Sequence, residues 1–335
     1  MIKRIGKTLI LNNKPTIIGY GSIVGKKEHE GPLSNEFDEY IDDSYFEEES
    51  YEKAESKLQK SAVETALKRA NLKNKDIDNI FAGDLLNQCI GSSFGLRELE
   101  IPFIGLYGAC STMALSTALA SVFVNCGVAN NAVAVTSSHF CSAERQYRFP
   151  LGYGNQRTPT AQWTVTGSGA LVIGKGENKP YINAVSFGKI QDLGITDTNN
   201  MGAAMAPAAA DTIANFLNDT NTKVEDYDVI YTGDLGRIGT DLLYELMDEK
   251  GYNLRCHHAD CGNIIFNTDK QDVHAGGSGC GCSASVLASF IMHRFEDEQF
   301  KNILFVSTGA LMSPTSALQG ESIPGIAHLL NIKKD

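Results

Sequence analysis

Positive charge is scarce in this sequence. Lysine and arginine number 29 against 40 aspartates and glutamates, a formal charge of −11. That balance removes the basic field on which nucleic-acid binding depends. An anionic ligand must therefore be met by donors placed locally. The amino terminus, Met1-Ile2-Lys3-Arg4-Ile5-Gly6-Lys7, lacks the apolar run of a secretory leader. Its eight cysteines (Cys89, Cys110, Cys126, Cys141, Cys256, Cys261, Cys280 and Cys282) are accordingly expected to be reduced. Several lie in apolar runs and read as small core hydrophobes.

From Ile101 to Ala143 there is no aspartate, glutamate, lysine or arginine. A membrane hairpin would need longer uninterrupted spans. Pro102, Gly108, Asn125, Gly127, Asn130 and Asn131 cut the stretch into pieces too short or too polar for that. It reads instead as strand, helix and strand buried inside a large protein. The glycine-rich segments Thr166–Ala170 and Gly276–Gly281 lack the lysine of a phosphate loop and the downstream acid of a dinucleotide fingerprint. They are expected to mark close backbone approaches.

What is present is a repeat. With 335 residues the chain is long enough for two domains or one doubled domain. Asp76-Ile-Asp-Asn-Ile-Phe-Ala-Gly-Asp-Leu85 returns as Asp226-Tyr-Asp-Val-Ile-Tyr-Thr-Gly-Asp-Leu235. Helix-like segments precede both, over Ala62–Ala70 and Thr212–Leu217, and Asn71 and Lys73 recur as Asn221 and Lys223. Gly108-Ala-Cys-Ser-Thr112 opens a helix through Val124, followed by the strand Ala132–Thr136. Gly276-Gly-Ser-Gly-Cys-Gly-Cys282 opens another through Phe295, followed by Ile303–Ser307. The expected fold class is α/β: two duplicated halves, 1–176 and 177–335, with mixed sheets and buried central helices. Residues 26–56, rich in acid from Glu28 to Glu49, read as a solvated insertion in the first half.

Cys110 is the first candidate for chemistry. It stands between a glycine-containing turn and an uncharged helix, where unpaired N–H groups and the helix dipole favour a thiolate or a bound anion. A buried structural cysteine is the other reading. Cys256-His257-His258-Ala259-Asp260-Cys261 has the composition of a zinc site but not its spacing, and reads as a hairpin loop near the pocket, with no metal.

Gly108-Ala-Cys-Ser-Thr112 in a doubled α/β chain resembles the thiolase and ketoacyl synthase superfamily. The whole chain more closely resembles the stage V sporulation protein AD family. The stretches that carry this are Gly83–Gln88, Thr136–His139, Ala143–Arg145, Thr164–Gly169, Met201–Thr212, His274–Cys280, Ser307–Thr315 and Glu321–His328. The resemblance implies a thiolase-like fold and a homodimer joined through the strand Ala132–Thr136. It further implies binding of dipicolinic acid, alone or with Ca2+, for uptake into the developing spore. The protein would be made in the cytoplasm and sit peripherally on the forespore or spore inner membrane beside membrane-embedded partners.

The departures from the enzymes point away from catalysis. Where they place a His or Asn facing the cysteine, this chain has Ser278 and Gly233-Asp234, and Ser307-Thr308 replaces a second cysteine. The expected ligand shell is Cys110, Ser111, Thr112, Ser137, Ser138, His139, Asp84, Gly277 and Ser278. His139 reads as a carboxylate donor or a satisfied loop histidine. Arg145 reads as a carboxylate contact or the partner of Glu144. Three functions compete: a non-catalytic dipicolinate binder, an acyltransferase using Cys110 as nucleophile, and a membrane-side scaffold with a vestigial pocket.

Overall fold

The computed structural model describes residues 2–147 and 156–335. Met1, where the first expected half begins, lies outside them. The hairpin β1 (Ile2–Ile5) and β2 (Thr8–Leu11) leads into β3 (Thr16–Gly25). The short α1 (Lys26–His29) and β4 (Glu39–Ile41) precede α2 (Tyr51–Ala70), β5 (Asn79–Gly83), α3 (Ile90–Leu96) and β6 (Phe103–Gly105). Then come α4 (Thr112–Cys126), β7 (Ala132–Ser138), α5 (Phe140–Tyr147), β8 (Trp163–Thr164) and β9 (Gly167–Gly174). The remainder runs β10 (Tyr181–Phe187), α6 (Met201–Thr220), β11 (Val229–Thr232), α7 (Gly236–Glu249), β12 (His258–Asp260), α8 (Cys261–Ile264) and β13 (Gly277–Ser278). One continuous helical rod follows: α9 (Cys280–Val286), a wide π turn over Leu287–Ile291, and α10 (Met292–Glu296). β14 (Asn302–Ala310), α11 (Pro314–Leu318) and β15 (Gly325–Lys333) close the chain.

The main sheet order is β12-β11-β14-β15-β10-β3-β9-β7-β5-β6. Read outward from the β10–β3 junction, each arm has the same sequence of parallel and antiparallel neighbours. The helix α2 covers one arm's outer face and α6 the other's, while α4 and α9 lie between the arms. That placement explains the long uncharged stretch. The Ala109–Cys126 segment has the length and hydropathy of a membrane span, but it is sheathed by strands of both halves.

The repeated acids have a local cause. Asp76 Oδ2 accepts from the Lys73 N–H at 2.8 Å, and Asp226 Oδ2 accepts from the Lys223 N–H at 2.8 Å. Asp78 ties down the N–H of Asn130, and Asp228 those of Lys301 and Asn302. Asn71 and Asn221 each end a helix in the left-handed conformation. One capping scheme is thus written twice. Glycines bring the halves together: a β-carbon on Gly169 would overlap the Ala284 carbonyl, and one on Gly281 the Gly167 carbonyl.

Three expectations change here. The first helix begins at Tyr51 rather than near Ala62, so the acidic segment is not wholly solvated. Glu28, within α1, and Glu55, within α2, are each 1% exposed. The strand Ala132–Thr136 cannot pair with a second copy, because β7 already has β5 and β9 on its two edges. The sheet ends instead at β6, where Phe103 is 41% exposed and neighbouring Tyr107 48%. Residues 256–261 form no hairpin. They supply the parallel edge strand β12 and the start of α8.

Candidate functional site

The cavity around Cys110 is assembled by crossing hydrogen bonds between the halves. At the start of α4, the Ala114 N–H is held by Ser307 Oγ of β14 at 3.2 Å. At the start of α9, the Gly281 N–H is held by Ser138 Oγ of β7 at 3.1 Å, and the Cys280 thiol donates to the Ser137 carbonyl at 2.9 Å. β8 pairs with β13 in parallel, which sets Thr164 beside Ser278. Ala109 adopts φ 49°, a left-handed conformation that costs a non-glycine residue on the order of 1 kcal/mol. That kink turns Cys110 into the gap between the two helix starts.

Cys110 faces Asp234, the acid of the second Gly-Asp-Leu. Asp234 Oδ1 accepts from Thr308 Oγ1 at 2.8 Å, and Oδ2 accepts from the Gly279 N–H at 2.8 Å and from Ser278 Oγ at 3.2 Å. The Cys110 thiol stands close enough to this carboxyl group for each to shift the other's titration. Complete burial raises Asp234 to about 6 despite those donors. Burial, then the charge of Asp234, drives the Cys110 thiol well above its ordinary 9.0. Of the two readings of Cys110, this favours the buried thiol over a thiolate at the helix terminus. The thiol is neutral, since desolvation and a facing carboxylate outweigh the dipole.

The cavity itself holds about 40 Å³, room for a few waters. Leu85, Tyr107, Tyr147, Met201 and Met312 wall it, with Cys110, Glu144, Thr164 and Ser278 as its polar lining. Tyr107 and Tyr147 hydroxyls meet at 3.0 Å, and Tyr147 also donates to the Leu85 carbonyl. Two methionines make part of the wall adaptable.

Of the residues expected in a ligand shell, Cys110 and Ser278 line this cavity. Ser111 and Thr112 lie beside it, but their hydroxyls donate to the carbonyls of Gly108 and Ala109 at 2.6 Å each. Their N–H groups bond the same two carbonyls, so the turn consumes the donors assigned to a carboxylate. Ser137 donates to Glu55 and Ser138 to the Val165 carbonyl. Gly277 accepts from the Gln162 amide. Asp84, despite its matching motif, is not among the residues that line the cavity. It accepts from the N–H groups of Leu86 and Ser92 and from the Ser92 hydroxyl at 2.6 Å.

His139 proves to be the satisfied histidine. Its Nδ1 accepts from the Cys141 N–H at 3.1 Å, so Nε2 carries the proton and donates to the Ser44 carbonyl at 2.8 Å. Burial lowers it to about 4, leaving it neutral and pinned to the acidic segment. Arg145 pairs with Glu52, not with Glu144 or a cavity group. In the 256–261 segment, His258 bonds Thr232 and Tyr244, and Asp260 accepts from Thr232, Leu235, Gly236 and Asn263. Sequence reasoning left Asp234 and Thr308 out of the ligand shell, although it noted both as replacements for enzyme residues. Tyr107 and Tyr147 were not singled out, and Glu144, Met201 and Met312 lie in stretches that carry the resemblance without a site role having been assigned to them.

A family model described as stage V sporulation protein AD matches residues 6–333. The stage V sporulation protein AD of Bacillus subtilis strain 168 is 45% identical over 328 residues, 98% of this chain and 97% of that protein. Among solved structures, 3-oxoacyl-(acyl-carrier-protein) synthase III from Aquifex aeolicus VF5 aligns with a TM-score of 0.59 at 14% identity. That alignment covers 95% of this chain and 99% of the other. Cerulenin-bound OleA from Xanthomonas campestris gives 0.61 at 14% identity, over 99% and 100%. At such identity the likeness is one of fold, and the fold is thiolase-like.

Proposed function

The chain belongs to the stage V sporulation protein AD family, and from that premise we propose that it binds dipicolinate in the Cys110 cavity during sporulation and catalyses no acyl transfer. The observation that carries the second half is the pairing of Cys110 with Asp234. A condensing enzyme needs its cysteine as a thiolate and a base to hold the departing proton. Here the thiol lies well above 9.0 and its carboxyl partner near 6, so the proton stays on sulfur. Ser278 and Thr308, the other neighbours, are hydroxyls committed to Asp234. Incubation with acetoacetyl-CoA, or with acyl-CoA and a malonyl donor, is expected to give no turnover. Product formation that disappears in Cys110→Ala would restore the acyltransferase reading.

The binding half rests on shape and lining. A flat aromatic dicarboxylate wants apolar walls with hydrogen-bond donors at its edges. Leu85, Met201 and Met312 supply the walls, Thr164 a hydroxyl, and Tyr107 a second one that can turn its hydrogen from Tyr147 to the ligand. At about 40 Å³ the cavity must widen to take a pyridine ring with two carboxylates, through movement of Met201, Met312 and the tyrosine pair. Calorimetric titration with dipicolinate, with and without Ca2+, tests this. Absence of saturable heat in both titrations rejects it.

The protein acts, on this reading, as a peripheral component at the forespore or spore inner membrane, handing ligand to membrane-embedded partners. We further propose a homodimer, with β6 rather than β7 as the joining strand, since β6 ends the sheet with Phe103 exposed. Light scattering should give twice the 36.2 kDa chain mass at micromolar concentration. Phe103→Asp should shift it to the monomer. A monomeric wild type, or a variant that stays dimeric, excludes this interface.

A further inference from the structure

A second cavity, of about 230 Å³, lies at the end of the sheet opposite Cys110. β9 fixes that placement. Its Gly167 pairs with Ser138 of β7, which holds the start of α9 beside Cys110. Its Ile173 pairs with Ala132 of β7 and with Ile17 of β3, and Ile17 lines the second cavity. From Gly167 to Ile173 a strand runs ~20 Å. Arg69 from the last turn of α2, Lys179 from the turn before β10 and Lys334 from beyond β15 meet in this wall. Glu296 is the one acid in its described lining, and residues 1 and 148–155 include no aspartate or glutamate. We propose that this cavity is a phosphate site, taking a phosphate ester whose apolar body rests on Ile17, Ile18, Pro180 and Met292.

The hydrogen bonds decide which anion suits the wall. Arg69 is already committed: its Nη2 donates to Asp38 Oδ1 at 2.6 Å, and its Nη1 to Asp38 Oδ2 at 3.2 Å and to the Tyr20 carbonyl at 2.6 Å. Its guanidinium lies 4.0 Å from the centre of the Tyr20 ring. Such a fork is the natural receiver of a carboxylate, and Asp38 fills it. The two lysines keep donors to give. Lys179 Nζ donates to the Ile18 carbonyl at 2.8 Å, and Lys334 Nζ to the Phe295 carbonyl at 2.7 Å. Each bond fixes a long side chain at the wall and uses one of three N–H groups, so two remain on each ammonium. Compact charges with rotatable donors suit the several oxygens of a phosphate.

Separate segments are anchored to build this wall. Asn178 takes φ 55°, a left-handed turn that asparagine tolerates, and Lys179 then reaches back to β3. The Pro180 carbonyl accepts the Ile17 N–H at 2.8 Å. The Lys334 N–H donates to the Lys301 carbonyl at 2.9 Å, and its ammonium offsets the open carbonyl end of α10. The charges do not cancel. Arg69, Lys179 and Lys334 stand against Glu296 in the wall and Asp38 on Arg69, three cations to two acids. In a chain whose sum is −11, this is a local reversal of sign. A phosphate monoester, with close to two negative charges at neutral pH, gains most from it.

Two measurements on the full chain test the site and separate its sources of ligand. Calorimetric titration with sodium phenyl phosphate, in a phosphate-free buffer, reads an ester in solution. Co-sedimentation with phosphatidylcholine vesicles, with and without phosphatidylglycerol, reads the same group on a lipid. Phenyl phosphate is expected to bind saturably, about tenfold more weakly in Lys179→Gln or Lys334→Gln and ~100-fold more weakly in the double variant. Glutamine can keep the bond to the Ile18 or Phe295 carbonyl while removing the charge, so thermal melts should match wild type. Vesicle binding that requires phosphatidylglycerol and is lost in the double variant, without binding of phenyl phosphate, supports the site with a lipid headgroup as its occupant. Absence of both kinds of binding overturns the proposal. Binding undiminished in a folded double variant overturns it too. If the double variant does not fold, Lys179→Gln decides in its place, since that side chain is exposed. Dipicolinate titrations are expected to be unchanged by these substitutions, so failure here leaves the reading of the Cys110 cavity standing.

Discussion

Cys110→Asp is expected to lose dipicolinate binding by at least ~100-fold, whereas Cys110→Ser should lose only ~3–10-fold. Cys110 is 5% exposed and faces Asp234. A second carboxylate there places like charges side by side in a site shielded from solvent. Against a ligand carboxylate at about 4 Å and an effective dielectric constant near 20, the added charge costs ~4 kcal/mol, roughly a thousandfold in affinity. The added carboxylate also fills part of a cavity of about 40 Å³ and opposes an anionic ligand directly. Serine keeps the size and can donate to Asp234, so the wall is preserved. Calorimetry on both variants, with circular dichroism to confirm folding, gives the comparison. A folded Cys110→Asp that binds as tightly as wild type would show that the ligand sits elsewhere.

Glu55→Gln is expected to stabilise the protein at pH 8 by ~2 kcal/mol, about 5 °C in Tm, and to change little at pH 5. Glu55, on the buried face of α2, accepts from the hydroxyls of Ser137 and Ser142 at 3.1 and 2.6 Å. Burial, and then the charge of Asp84, push it up to about 8; Glu52 adds to the repulsion. A folded-state value above the ordinary 4.5 means that the fold holds a proton the unfolded chain has released. Its contribution is complete below pH 4.5 and is lost progressively as pH rises toward 8. Glutamine is neutral throughout and removes that loss. Ser142 already contacts the His139 carbonyl at 3.1 Å, so it can turn its hydrogen there and accept from the new amide. Thermal melts from pH 5 to 8 measure the effect. Parallel decline in both proteins would mean that Glu55 is ionised in the fold and that its burial has been misjudged.

Features whose cause is local could be read from residues alone. The Asp-x-Asp turns, the asparagine helix ends and the glycines at the junction each act within a few residues or through the absence of a side chain. They recur in sequence because the same short-range geometry recurs, and with them came the α/β class and the position of Cys110 at a helix start. The meaning of the two Gly-Asp-Leu motifs was not available in that way. Both acids follow the same strand in the same local sequence, yet Asp84 closes on Ser92, eight residues away, while Asp234 meets Ser278, Thr308 and Cys110, 44, 74 and 124 residues away. The protonation of Cys110, the turning of His139 toward Ser44 and the pairing of Arg145 with Glu52 were settled in the same manner. A side chain's charge state and direction depend on the burial and partners that packing assembles around it, and those partners come from parts of the chain whose spacing carries no trace of the contact.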